Sequence, residues 1–441
     1  MKLIVPALEI EGFEGFTSER DIFNRAEYAK KLTEIISNTD DELVVGLDAP
    51  WGEGKTTFVK MWRGMLNDQG ISSVYFDAFK NDFLEDPLLA LIGEINILIN
   101  DLDKDIKDEF KSTAVGVLKA IGKASIRIGL RAATAGVLDD TALEGAGAEG
   151  EATSIADKYI TERIDNLEKD KSAIEHFQNI LEEIVKTLDK NTKLIFIIDE
   201  LDRCKPSFAL DLLEKIKHIF SLPGVVFILV MNKDQMSEII KSRYGSGIDS
   251  TKYLQKFIHV WTGLPKAKEQ HTNDARYYLT HCLTKMEYDF STDNDDLTVD
   301  LYSQLIDHYN MSFREIERSL TNFAILYNIT EGRLARDYDV IAVYLSVIKV
   351  MFPSSFSKIR NGTLPYNDVI KETELEKFTI DHWNGKPEGH YLKWLLRYHI
   401  SDDEDVESLI NEDKNYADHR HRHERVAVSY LSKLLDSFRN Y

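Results

Sequence analysis

The chain has 441 residues, with 54 Lys and Arg against 75 Asp and Glu, for a formal net charge of −21. That length exceeds one ordinary hydrophobic core, so two or three domains are expected. The acidic balance opposes broad, sequence-independent binding to nucleic acid, which rests on many cationic contacts to phosphates. Two cysteines, Cys204 and Cys282, and an opening without signal-peptide patterning make the cytoplasm the expected location. No run of about 18 apolar residues reads as a transmembrane helix, and peripheral membrane association stays open.

Asp21 to Ser37 carries Ile22, Ala26, Ala29, Leu32, Ile35 and Ile36 at helical spacing. Leu43 to Leu47 is an apolar run of strand length, followed by a Gly-containing turn and a helix with Phe58, Val59, Trp62 and Leu66 on its apolar face. Ser73 to Phe76 reads as a second strand and Pro87 to Leu102 as a helix. Residues 103–172 then break the pattern with a Gly/Ala-rich stretch and an acidic one, Asp139 to Glu151, and are expected to form a helical insertion. In it Lys119, Lys123, Arg127 and Arg131 recur every four residues. On a helix they make a basic stripe, which is a solvated face or a contact for an anionic membrane, nucleic acid or an acidic partner.

Lys193 to Ile198 and Val225 to Val230 read as buried strands on either side of a helix over Pro206 to Phe220. Such alternation predicts an α/β fold with a parallel sheet and helices on both faces. After Pro265 strand signals thin out, and amphipathic segments around Asp274 to Met286, Leu297 to Tyr309, Arg314 to Tyr327 and Asp337 to Met351 predict a helical domain that extends through the C-terminal residues. Cys282 reads as core packing, and His419-Arg420-His421-Arg422-His423 as a solvated turn, because its spacing matches no zinc ligand set.

Ala49-Pro50-Trp51-Gly52-Glu53-Gly54-Lys55-Thr56-Thr57 matches GxxxxGK[ST] except for Ala49 at the first glycine. Gly52 and Gly54 let backbone N–H groups close around phosphates, Lys55 reaches the β- and γ-phosphates, and Thr56 offers a hydroxyl to Mg²⁺. The helix that follows points its positive end at the same place. Leu194 to Ile198 leads into Asp199-Glu200, an apolar strand ending in two carboxylates. Asp199 suits the Mg²⁺ shell and Glu200 suits the attacking water. Asn232, after the last buried strand, is the candidate γ-phosphate sensor, with Asp234 as an ordinary helix cap.

With these residues the chain resembles the KAP family of P-loop NTPases, a STAND-related group, over about residues 20–325. Asp199-Glu200-Leu201-Asp202-Arg203-Cys204-Lys205-Pro206 is similar to the family's DxLDRCxP signature, and Trp51-Gly52-Glu53-Gly54-Lys55-Thr56 to its WGxGK[ST] loop. Phe76-Asp77-Ala78-Phe79 resembles its FNAW segment, Tyr253-Leu254-Gln255-Lys256-Phe257 with Leu264-Pro265 its YLxKI…LP segment, and Asn310 to Arg318 its NPRxIKR helix start. The last makes Arg314 and Arg318 candidates for a catalytic sensor or finger, with Arg203 in competition. Many family members carry transmembrane helices between the two motifs, and this insertion is not apolar enough to span.

The expected organisation is a P-loop NTPase core over 1–265, a helical lid or sensor segment over 266–330 and a C-terminal helical region over 331–441. The expected function is Mg²⁺-dependent hydrolysis of ATP. The family resemblance implies a nucleotide-driven switch in a homo-oligomer, possible in bacterial anti-phage defence with a separate protein effector, since no nuclease, protease or deaminase constellation is legible. The alternative is a nucleotide-stabilised oligomeric scaffold without turnover. A DNA-directed motor is disfavoured by the charge and by the lack of an aromatic and basic channel.

Overall fold

A computed structural model describes the chain except for residues 7, 40, 85, 135–148, 189–192, 266–273, 291–294, 333–334, 379–387, 413–424 and 438–441. Its contacts group into two units, one of Ile10–Pro50 and Lys55–Pro265, the other of Met1–Glu9, Trp51–Gly54 and Lys266–Tyr441.

The first unit runs α1 (Ala26–Ser37), β1 (Leu43–Asp48), α2 (Lys55–Asp68), β2 (Ser72–Asp77), α3 (Ala78–Asn81), α4 (Pro87–Leu98), α5 (Lys104–Thr134), α6 (Glu149–Leu188), β3 (Leu194–Asp199), α7 (Pro206–Ile219), β4 (Val225–Met231), α8 (Lys233–Tyr244), α9 (Ser250–Leu254) and β5 (Val260–Gly263). The strands form one sheet in the order β2-β3-β4-β1-β5, and every pairing is parallel. Parallel strands covered on both faces read as continuous apolar runs, and β3 and β4 are buried at every position.

The two faces carry different loads. Leu43, Val45 and Leu47 of β1, with Ile195, Ile197, Val226, Ile228 and Val230, pack against α1 and α2. The alternate residues Phe196, Ile198, Phe227 and Leu229 face the core built with α4 to α9. At its centre the Phe196 and Phe227 rings stack 4.8 Å apart, and Phe220 meets both. Because the helix after β1 lies on one face and those after β3 and β4 on the other, the chain reverses winding between β1 and β4. Ligands of open α/β sheets bind at such a switch point, beyond the carboxyl ends of the strands.

The opening helix starts at Ala26, not Asp21, because the Asp21 carboxylate accepts from the N–H groups of Arg25 (2.7 Å) and Ala26 (2.8 Å). Ile35 is 58% exposed, and the buried stripe is Ala29, Leu32 and Ile36. Against it the buried Trp62 indole donates to Thr33 Oγ1 at 2.9 Å, and the Thr33 hydroxyl donates to Ala29 O at 2.8 Å. Thr33→Val keeps the shape and removes the acceptor, leaving a buried N–H unsatisfied at a cost of about 1–3 kcal/mol. A lower urea midpoint with an unchanged m-value is the expected result.

Within the insertion α5 and α6 pack on each other, and Phe110 and Phe177 lie 5.7 Å apart. The second of these helices runs past residue 172 to Leu188, because Phe177, Leu181, Ile184 and Val185 continue its buried face. Lys119 is exposed, whereas the side chains of Lys123, Arg127 and Arg131, those of the acidic stretch Asp139 to Glu151, and His419 to His423 lie outside the described residues. Among the described residues no helix is long and apolar enough to cross a membrane.

The second unit is helical: α10 (Asp274–Lys285), α11 (Asp295–His308), α12 (Phe313–Ile329), α13 (Arg336–Met351), α14 (Pro353–Arg360), α15 (Tyr366–Glu372), α16 (Glu388–Ile400), α17 (Asp403–Glu412) and α18 (Ala427–Ser437). Its central helix is α13, buried continuously from Val340 to Ile348. Cys282 sits in this core, as expected, where burial raises its thiol pKa to about 12. Residues near the amino terminus join the unit, with Asn328 Nδ2 donating to Met1 O at 2.9 Å.

Candidate nucleotide site

The loop between β1 and α2 begins at Ala49, whose N–H donates to Met231 O of β4 at 3.3 Å. Gly52 and Gly54 have φ of +87° and +76°, the left-handed region where a Cβ is disfavoured. Ala49 is not among the residues with positive φ, so alanine at the first motif position needs no special backbone. A Cβ on Gly52 would also stand 2.9 Å from Arg314 Cβ and 3.2 Å from Ser312 Oγ. These loop-tip residues group with the helical unit, where Ser312 and Glu315 form a capping box that starts α12. Arg314 is thereby fixed beside the loop tip; both it and Arg318, one turn on, are exposed.

Lys55 opens α2, and its ammonium donates to Ala49 O at 2.5 Å and Pro50 O at 3.1 Å. Burial pulls its pKa down, and the negative charges of Asp202, Asp199 and Glu200 oppose that shift. Thr56 and Thr57 follow in the first turn, where the Thr56 hydroxyl donates to Glu200 Oε1 at 3.4 Å.

At the carboxyl end of β3 Asp199 is 1% exposed. Its Oδ1 accepts the Glu200 N–H at 2.9 Å, and its Oδ2 accepts the Tyr75 hydroxyl at 3.0 Å. Glu200 has φ +61° and ψ +26°, a left-handed conformation costing a side-chain-bearing residue about 1–2 kcal/mol. Such strain turns the chain sharply into the short 3₁₀ turn Leu201–Arg203 and brings Arg203 Nε within 2.5 Å of Glu200 Oε2. Burial raises the pKa of both acids; Asp77 adds to this at Asp199, and Asp199, Asp202 and Asp77 at Glu200. Hydrogen bonds from Thr56 and Tyr75 pull Asp199 back, and Arg203 pulls Glu200 back.

Crowded, part-desolvated negative charge of this kind is where a cation settles. The nearby donor set is all oxygen and supplies few protein ligands, which suits Mg²⁺, an ion that keeps waters and takes phosphate oxygens. Among the described residues no group of three or more His, Cys, Asp or Glu side chains could hold a metal on its own.

Asn232 lies at the end of β4 and is itself the N-cap of α8, accepting from Asp234 N (3.0 Å) and Gln235 N (3.4 Å). Asp234 therefore lies in the first turn and is not the cap. The side-chain oxygen being engaged, Asn232 has its amide N–H₂ left to offer a ligand. Tyr75 escaped the sequence reading, because a tyrosine inside an apolar strand carries no motif signal.

The family model described as the KAP family P-loop domain matches residues 25–330. An uncharacterized protein of Methanocaldococcus jannaschii is 32% identical over 167 residues, covering 34% of this chain and 84% of that protein. Structures of the Aeropyrum pernix ORC2 protein in ADPNP–ADP and ADP forms align at TM-scores of 0.35 and 0.34 with 14% identity, covering 94% and 98% of this chain and 94% and 96% of theirs.

Proposed function

The chain belongs to the KAP family of P-loop NTPases, and from that premise we propose that it hydrolyses ATP with Mg²⁺ and uses the nucleotide state as a switch. The observation that carries the reading is the convergence of Lys55, Thr56, Asp199 and Glu200 at the carboxyl ends of β1 and β3. ATP phosphates enter the loop Ala49 to Thr57, and Lys55 exchanges two backbone carbonyls for phosphate oxygens. Thr56 and Asp199 would hold Mg²⁺, which when bound neutralises charge on the β- and γ-phosphates. Glu200 accepts the proton of the attacking water. Asn232 offers its amide to the γ-phosphate and Arg314 its guanidinium, whose planar fork suits charge spreading over oxygens.

For the switch, the supporting observation is that the loop tip Trp51–Gly54 groups with the helical unit and not with the strands it joins. A change at Gly52 on nucleotide binding then bears on Ser312 and Arg314, which lie beside it in the same unit. The working form is a cytoplasmic homo-oligomer that passes the signal to a separate protein effector, as in an anti-phage system.

One observation favours the scaffold reading. Glu200 is held by Arg203 and contacted by Thr56, the hydroxyl that metal binding needs, so basal turnover is slow if this arrangement persists with nucleotide bound. Phosphate release by the purified full chain with Mg-ATP, with and without EDTA, and the mass in the same samples test both. Mg²⁺-dependent release with a nucleotide-dependent mass supports the switch. Binding and assembly without release support the scaffold, and absence of binding overturns both.

A further inference from the structure

Tyr75 lies in the middle of β2, in register with Ile197 of β3. Its neighbours Val74 and Phe76 point into the core with α4 to α9, while its own ring packs with the residues under α1 and α2. Asp199, two residues beyond Ile197, shares that face by strand alternation. The phenol thus reaches one step along the neighbouring strand to Asp199 Oδ2 at 3.0 Å. From α2, Lys60 Nζ stands 5.7 Å from the ring centroid. The hydroxyl is carried on a half-buried ring fixed between strand and helix, not on a mobile surface chain.

We propose that Tyr75 is a positioning residue for Mg²⁺, holding through Oδ2 the orientation of the Asp199 carboxylate that would bind the metal. The proposal rests on the Mg²⁺-nucleotide reading of the site. Asp199 is met by two donors, the Glu200 N–H and the Tyr75 hydroxyl, while the Thr56 hydroxyl donates to Glu200 Oε1. Thr56 would offer an oxygen lone pair to the metal, which leaves the Glu200 N–H and Tyr75 in place as donors to Asp199. Of these the Glu200 N–H sits on a left-handed residue at a chain reversal, whereas Tyr75 sits on a regular strand. Outer partners that orient a metal-binding carboxylate typically change metal affinity or activity by about 10–100-fold when removed.

The test is Tyr75→Phe in the full-length chain, which keeps the ring and its packing and removes only the donor. Binding of a fluorescent ATP analogue is titrated in EDTA and across a Mg²⁺ series, beside a Mg²⁺ series of phosphate release and a melting curve. Affinity in EDTA should match wild type, while the half-saturating Mg²⁺ concentration rises about 10-fold and turnover recovers at saturating Mg²⁺. A Mg²⁺ series superimposable on wild type overturns the proposal. So does an equal loss of nucleotide affinity with and without Mg²⁺, which would make Tyr75 part of the packing only. A wild type that binds Mg-nucleotide and never releases phosphate sinks the ATPase reading alone, because the binding series still reads Tyr75 without turnover.

Discussion

Glu200→Gln is expected to lower phosphate release by at least about 10²-fold, the lower end of what a positioned general base contributes, while Mg-ATP stays bound. The amide keeps the size and the backbone, so the left-handed turn, the Glu200 N–H bond to Asp199 and the Thr56 contact survive. What disappears is the ability to take a proton from water, and with it the ion pair to Arg203. If Glu200 is the base, turnover falls and nucleotide affinity does not; a variant that retains wild-type turnover removes it from that role.

The same substitution has a stability consequence with a definite sign. Burial, first, and the charge of Asp199 raise the Glu200 pKa, and Arg203 offsets only part. A carboxylate whose folded pKa lies above its unfolded one favours folding below the unfolded pKa, and that contribution is lost as pH rises through the folded value. At neutral pH the ionised group therefore weighs against the nucleotide-free fold. Glu200→Gln should melt higher than wild type at pH 7, and the gap should narrow as the pH is lowered toward the carboxylate range. An unchanged or lower melting temperature would mean that the Arg203 pair outweighs the burial. A destabilising arrangement kept at a reacting position is the usual trade between activity and stability.

Sequence and structure agree best where the physics is local. The β1, β3 and β4 runs are legible because buried parallel strands need uninterrupted apolar residues, and the turn after β1 because Gly52 and Gly54 must adopt positive φ. The fifth strand escaped because Val260–Gly263 is four residues long and only part-buried. Among the described residues it pairs with β1 alone, and Gly46 makes room for it, since a Cβ there would come within 2.6 Å of the Trp261 ring. No reading of periodicity finds a strand whose position depends on a missing side chain elsewhere. For the same reason the Tyr75 contact, which depends on strand order, is not a local property of its segment.

Lys55→Ala, in contrast to Glu200→Gln, should remove binding itself. Hydrogen bonds to charged groups are worth about 1.5–3 kcal/mol each, and a lysine meeting two phosphates loses roughly 3 kcal/mol or more, about 10²-fold in affinity. The fold should tolerate the change. Alanine is a good residue for the start of α2, and of the two carbonyls now held by the ammonium Pro50 O belongs to an exposed residue that water reaches, while Ala49 is buried and its O loses one partner. Because burial already pulls the Lys55 pKa down, deleting the ammonium also removes a desolvated charge, so the melting temperature without nucleotide should hold or rise. Calorimetric titration with Mg-ATP and melting curves with and without it measure both. Loss of the nucleotide-induced stabilisation at an unchanged intrinsic melting temperature is the expected pattern. A Lys55→Ala protein that keeps wild-type affinity would place the phosphates away from this loop. The two substitutions then divide the site physically: Lys55 after β1 governs whether nucleotide is held, and Glu200 after β3 governs whether it is cleaved.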